Sequence, residues 1–89
     1  MNRRFSETAW EEFMSWVSED RKKAEKIANL LDDIERNGIS KGKGKPEALK
    51  YNYSGQWSRR IDDTNRLVYT IDENGYIYVI SCKGHYKDK

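Results

Sequence analysis

Apolar residues recur at three- and four-residue steps through the first half of the chain and at every second position through much of the rest. Over residues 6–20, Ala9, Trp10, Phe13, Met14 and Val17 form a helical stripe, with Ser6 placed as N-cap and Glu7 in the first turn. A second helix is predicted from Arg21, capped by Asp20. Its stripe is Ala24, Ile27, Ala28, Leu31 and Ile34, and Asn37-Gly38 is its stop. So short a link predicts an antiparallel helix pair with one shared apolar face. Two helices alone cannot bury that face, so a second layer is required.

The later residues supply it. Ser40 to Pro46 reads as a flexible basic loop, and Pro46 at a first helical position opens a short turn through Glu47, Ala48 and Leu49. Strands are predicted over Trp57–Ile61, Arg66–Ile71 and Tyr76–Lys83, with turns at 62–65 and at 72–75, where Asn74-Gly75 is a hairpin signal. Arg3–Phe5 adds a short strand at the start. The expected fold is α+β: one two-layer domain over residues 1–89, its N-terminal αα-hairpin packed on one face of a twisted, mainly antiparallel sheet. Alternation turns Leu67, Tyr69 and Ile71 toward the helices and leaves Arg66, Val68 and Thr70 on the open face.

Composition narrows the function classes. With 89 residues, 36% apolar and 36% charged, the core is thin and cannot enclose a dinucleotide, and no Gly-rich phosphate fingerprint is present. No apolar run or leader pattern predicts a membrane span or a secretion signal. The single cysteine, Cys82, can make neither an internal disulfide nor a multi-thiolate zinc site. A reduced, cytoplasmic domain without membrane partner, metal or cofactor is expected. Residues 1–40 carry seven Lys/Arg against nine Asp/Glu, whereas residues 41–89 carry ten against six, so the second half is the part suited to a polyanion.

Few side chains can move a proton. His85 is the only histidine; as an imidazole it titrates near neutral pH, and Lys83 and Tyr86 beside it suit phosphate and base contacts. Glu47 lies among Lys43, Lys45 and Lys50, either as a first-turn helix acid or as a general base beside a cationic track. Arg59, Arg60 and Arg66 are surface ion-pair formers or guanidinium forks on phosphate, and alternation lets only one of Arg59 and Arg60 share a face with Arg66. Trp57, Tyr51 and Tyr53 read as packing residues, with Tyr86 free for stacking. Cleavage of RNA by its own 2′-hydroxyl needs a base, an acid and positive charge on the phosphorane, which Glu47, His85 and Arg66 supply without metal. A nucleophile at Cys82, inside a predicted strand and without a triad, fits less well.

Four segments in order are familiar: Lys41-Gly42-Lys43-Gly44-Lys45-Pro46-Glu47-Ala48-Leu49-Lys50, Ser54-Gly55-Gln56-Trp57-Ser58-Arg59-Arg60-Ile61, Asn65-Arg66-Leu67-Val68-Tyr69 and Cys82-Lys83-Gly84-His85-Tyr86. With the opening Phe5-Ser6-Glu7-Thr8-Ala9-Trp10, the chain resembles the Txe/YoeB family within the RelE-like superfamily of bacterial toxins. The resemblance implies a RelE-like fold and a ribosome-dependent mRNA endoribonuclease, the toxin of a type II toxin–antitoxin pair, cutting mRNA in the A site of the bacterial ribosome. By the same resemblance Glu47 is the general base, Arg66 the phosphate-stabilising arginine, His85 the general acid and Tyr86 an orienting tyrosine. Lys50 and Arg59 assist at the phosphate, and Lys43, Lys45 and Lys83 complete a basic track. The implied partners are a YefM/Axe-type antitoxin, ribosome and mRNA, operator DNA only through the antitoxin complex, and a second copy in a homodimer. Relative to the family the hairpin at Asn74-Gly75 is a residue longer, and Lys87-Asp88-Lys89 extends past the usual end. The alternative is a catalytically silent module of the same fold that only holds RNA, ribosome or antitoxin. A DNA-binding regulator fits less well, because the helices carry no recognition pattern.

Overall fold

A computed structural model describes residues 2–84. Its elements run β1 (Arg3–Phe5), α1 (Glu7–Glu19), α2 (Arg21–Asn37), β2 (Glu47–Ala48), a 3-10 turn over Tyr51–Tyr53, β3 (Trp57–Arg60), β4 (Arg66–Ile71) and β5 (Ile77–Ser81). The five strands form one sheet in the order β1-β5-β4-β3-β2. β1 runs parallel to β5 and the other neighbours are antiparallel. This is the expected two-layer α+β architecture.

Local chemistry accounts for the helix bounds. Ser6 accepts from the Ala9 N–H at 2.9 Å, capping α1. Asp20 precedes α2 as predicted, but its carbonyl rather than its side chain accepts from Lys23 and Ala24. Gly38 ends α2 at φ 94°, with its N–H donating to the Ile34 carbonyl.

Periodicity gave the helices but not their rotation. Trp10 and Met14, predicted to face the core, are 51% and 45% exposed, while Trp16 is buried. Ala9, Phe13 and Trp16 form the inward arc instead, and the Trp16 indole N–H donates to the Cys82 carbonyl at 2.9 Å. That bond satisfies a buried donor, which Trp10 at the surface does not need. On α2, Ala28 is exposed, and Leu30 takes its place beside Ala24, Ile27, Leu31 and Ile34. Trp10 stays covered along one side by stacking on Phe13 and meeting Phe5 edge-on.

The segment after Pro46 is a second correction. Glu47 and Ala48 pair with Ser58 and Trp57 as an edge strand, and the Leu49 N–H extends the ladder to the Gln56 carbonyl. Proline disfavours helix for the residue before it, and an edge strand tolerates its missing N–H. The last strand is also shorter than expected, ending at Ser81, so Cys82 lies just beyond it.

Four carboxylates hold turns and ends together. Burial works against the Asp62 charge, but bonds from the Asn65 side chain and backbone, Lys23 and the Thr64 N–H hold its carboxyl well below the usual range. The Tyr76 N–H does the same for Asp72, and the Lys43 N–H, aided by Arg59, for Asp33. Arg3 is among the groups that lower Glu35. Because these groups take up protons later in the folded than in the unfolded chain, they contribute stability above the ordinary carboxylate range and lose it on acidification. The melting temperature should fall steadily as pH drops below about 5. A flat profile down to about pH 3 would contradict this assignment.

Candidate functional site

The sheet sorts the predicted site residues by face. β3 and β4 pair Ser58 with Val68, Arg59 with Leu67 and Arg60 with Arg66. Leu67 belongs to the core under the helices, so Arg59 points there as well, while Arg60 and Arg66 share the open face. Glu47, opposite Ser58, lies on that open face one strand farther out. With strands about 4.8 Å apart and about 3.3 Å per residue, the Glu47 and Arg66 backbones are about 12 Å apart. Two extended side chains and a phosphodiester span that distance.

Glu47, Lys43, Lys45 and Lys50 are exposed. Arg66 is half-buried, and its Nη1 donates to the carbonyls of Asp62 and Asn65 at 3.0 and 3.3 Å. Those bonds fix the guanidinium from one side, and no other described residue takes its remaining donors. The Arg66 N–H donates to the Gly84 carbonyl, and the Gly84 N–H donates to the Asn65 side chain. The chain is thus brought back beside Arg66 at residue 84. His85 and Tyr86, the expected acid and orienting tyrosine, lie outside the described residues.

The structure turns two of the residues expected at the phosphate toward other partners. Arg59 is completely buried. Its Nε donates to the Tyr69 hydroxyl at 2.9 Å, and Nη1 to Asp33 Oδ2 at 2.6 Å and the Lys43 carbonyl at 3.1 Å. Nη2 donates to the carbonyls of Gly38 and Lys41 at 2.9 and 2.7 Å. Every N–H of the fork is used, leaving nothing for phosphate. Lys83 is drawn to α1: its ammonium sits 4.6 Å over the Trp16 ring and donates to Ser15 Oγ at 2.8 Å, with Glu19 at 3.4 Å.

The arginine that shares the open face with Arg66 is Arg60. Strand parity allowed only one of the two adjacent arginines to join Arg66, and Asp33 within the buried stripe of α2 was the available signal of which one. A buried carboxylate needs a cation, and Arg59 is the cation turned toward it. The same network corrects the loop, read as flexible. Carbonyls of Gly38, Lys41 and Lys43 accept from Arg59, that of Ile39 accepts from Tyr69, and the Lys43 N–H donates to Asp33. The Gly44 carbonyl accepts from the Arg60 N–H at 2.7 Å.

Other chemistry is weakly provided for. Burial, and then the Glu12 carboxylate, push the Cys82 thiol up to about 12. The thiol faces the Ala9 carbonyl and is no nucleophile at neutral pH. Among the described residues no three His, Cys, Asp or Glu side chains gather as metal ligands. Nor, among them, is any helix long and apolar enough to cross a membrane.

Comparison with known proteins agrees with this architecture. A family model described as a YoeB-like toxin of bacterial type II toxin–antitoxin systems matches residues 5–86. Toxin YoeB of Streptomyces coelicolor is 44% identical over 82 residues, covering 92% of this chain and 95% of that protein. Among solved structures, a heterotetrameric YoeB–YefM toxin–antitoxin complex from Staphylococcus aureus contains a chain 48% identical, with TM-score 0.89 and coverage of 97% and 98%. A YoeB dimer from the same species is 46% identical with TM-score 0.90, again covering 97% of this chain and 98% of that one. Matched along nearly its whole length in sequence and in fold, the chain belongs to the family of YoeB-like toxins of bacterial type II toxin–antitoxin systems.

Proposed function

We propose that this toxin is a metal-independent endoribonuclease that cuts mRNA in the ribosomal A site and so arrests translation in the cytoplasm. The observation that carries the reading is the open strand face, where an exposed carboxylate, Glu47, lies across from two guanidinium groups, Arg60 and Arg66. Glu47 accepts the 2′-hydroxyl proton, and the 2′-oxygen attacks the adjacent phosphorus. Arg66 and Arg60 take the charge that develops on the phosphorane oxygens. The 5′-oxygen leaves with a proton from His85, one peptide bond beyond the Gly84 carbonyl held at Arg66. The products are a 2′,3′-cyclic phosphate and a 5′-hydroxyl end. Tyr86 orients the substrate, and Lys43, Lys45 and Lys50 engage flanking phosphates.

The ribosome requirement follows from exposure. Glu47 and the lysines stand on an open surface, so they cannot by themselves immobilise a flexible strand. A scaffold that pre-aligns hydroxyl and phosphate contributes up to about 7–11 kcal/mol toward the barrier. The partners that fit are a YefM-type antitoxin, through which operator DNA is reached, and a second copy of the toxin, since relatives form both assemblies. Primer extension on a translated message, with the same message free in solution beside it, tests the reading. Strong stops at the A-site codon only when ribosomes are present are expected. Equal cutting of both would remove the ribosome from the mechanism, and ribosome binding without cuts would leave a silent binding module.

A further inference from the structure

The network of Arg59, Asp33 and Tyr69 lies across the sheet from the catalytic face, yet its bonds go to the loop that leads into Glu47. Asp33 comes from α2, Arg59 from β3 and Tyr69 from β4. All three are buried, and Tyr69 is completely so. The Tyr69 hydroxyl receives the Arg59 Nε and donates to the Ile39 carbonyl at 2.6 Å. Peptide groups of residues 38, 39, 41 and 43 are thus turned inward. Gly42 closes the arrangement: at φ 115° it lies so near Asp33 that an added Cβ would fall 1.9 Å from Oδ2. Two residues on, Gly44 bonds the backbone of Arg60, the open-face arginine. The path from the buried side chains to Glu47 is therefore short and is tied down at residues 38, 39, 41, 43 and 44.

We propose that Tyr69, with Arg59 and Asp33, is a positioning device that fixes Glu47 against Arg60 and Arg66. The inference rests on the nuclease reading above. Its signature is a split between binding and turnover. Charge acts over a Debye length of about 8 Å, so a loop shifted by about an ångström still attracts RNA through Lys41, Lys43 and Lys45. A general base must stay within hydrogen-bond reach of the proton it takes, and a misplacement of about 1 Å costs up to about a hundredfold.

Tyr69→Phe keeps the ring against Arg59 and removes only the hydroxyl. Gly42→Ala disturbs the same network from the loop side, by displacing the Asp33 carboxylate. Each is assayed on programmed ribosomes at a temperature where circular dichroism shows it folded. The single-turnover cutting rate should fall about ten- to a hundredfold in both, with half-saturation by ribosomes unchanged. Hydrogen exchange at the Lys43 amide, bonded to Asp33, should quicken in parallel. Loss of Lys43 protection with a wild-type cutting rate overturns the proposal, as does a wild-type exchange rate in both variants. Cutting by the wild type separates these outcomes from failure of the nuclease reading, under which the wild type itself makes no cuts and the positioning role falls with it.

Discussion

Replacing Arg59 by leucine is expected to destabilise the fold by about 3–5 kcal/mol, as when one partner of a buried ion pair is removed. The substitution strips the 2.6 Å ion pair from Asp33 and leaves the carbonyls of Gly38, Lys41 and Lys43 without their guanidinium donors. Domains of this kind have about 5–15 kcal/mol of stability in total, so the loss is about a fifth of it or more. With a urea dependence of about 1–3 kcal/mol per molar, the unfolding midpoint should drop by about 2 M. Arg60→Leu, one residue along on the exposed side, should shift stability by less than about 0.5 kcal/mol. Urea titrations of the two variants side by side decide the matter. Equal midpoints would mean that Arg59 is not the structural arginine.

The second large effect is catalytic and reverses that order. Glu47→Gln keeps the shape of the side chain but cannot accept the proton, and should slow cutting on programmed ribosomes by about 10²–10⁴-fold. Arg66→Ala removes a preorganised donor to the phosphorane and should cost about 10²–10³-fold. Arg60→Ala forfeits a charge-assisted bond of about 1.5–3 kcal/mol, or roughly ten- to a hundredfold. Primer extension under single-turnover conditions reads all three, with ribosome pelleting to show that each variant still binds. An Arg60→Ala protein that cuts like the wild type would take Arg60 out of the site, leaving Arg66 as its guanidinium. Glu47→Gln at wild-type rate would end the general-base assignment.

How far the chain could be read without coordinates depends on what kind of information each residue carries. Periodicity places α1, α2, β3 and β4 to within a residue or so, because caps and turns such as Ser6, Gly38 and Asp62 are local. It does not fix the rotation of α1, whose apolar arc takes in Trp10, Met14, Phe13 and Trp16, so the choice falls to the partner each ring finds. Trp16 finds the Cys82 carbonyl, 66 residues away, and nothing near Trp16 in sequence announces it. Pro46 suggests a helix start in isolation, yet β3 recruits the following residues as an edge strand. The open-face placement of Glu47 and Arg66 follows from alternation once the register is known. Which of Arg59 and Arg60 turns inward depends on Asp33, an acid on a buried stripe whose meaning is visible only when a cation is required for it.

The parallel pairing of β1 with β5 sets when the molecule becomes complete. Arg3, Arg4 and Phe5 lie beside Ile77, Tyr78 and Val79, so the first described strand waits for the last. Until residue 81 has emerged, the central part of the sheet lacks β5, and the turn that returns the chain to Arg66 cannot form. The helices draw on contacts near in sequence, whereas the sheet face closes only by pairing residues more than seventy positions apart, so assembly of that face is the slow, non-local step of folding.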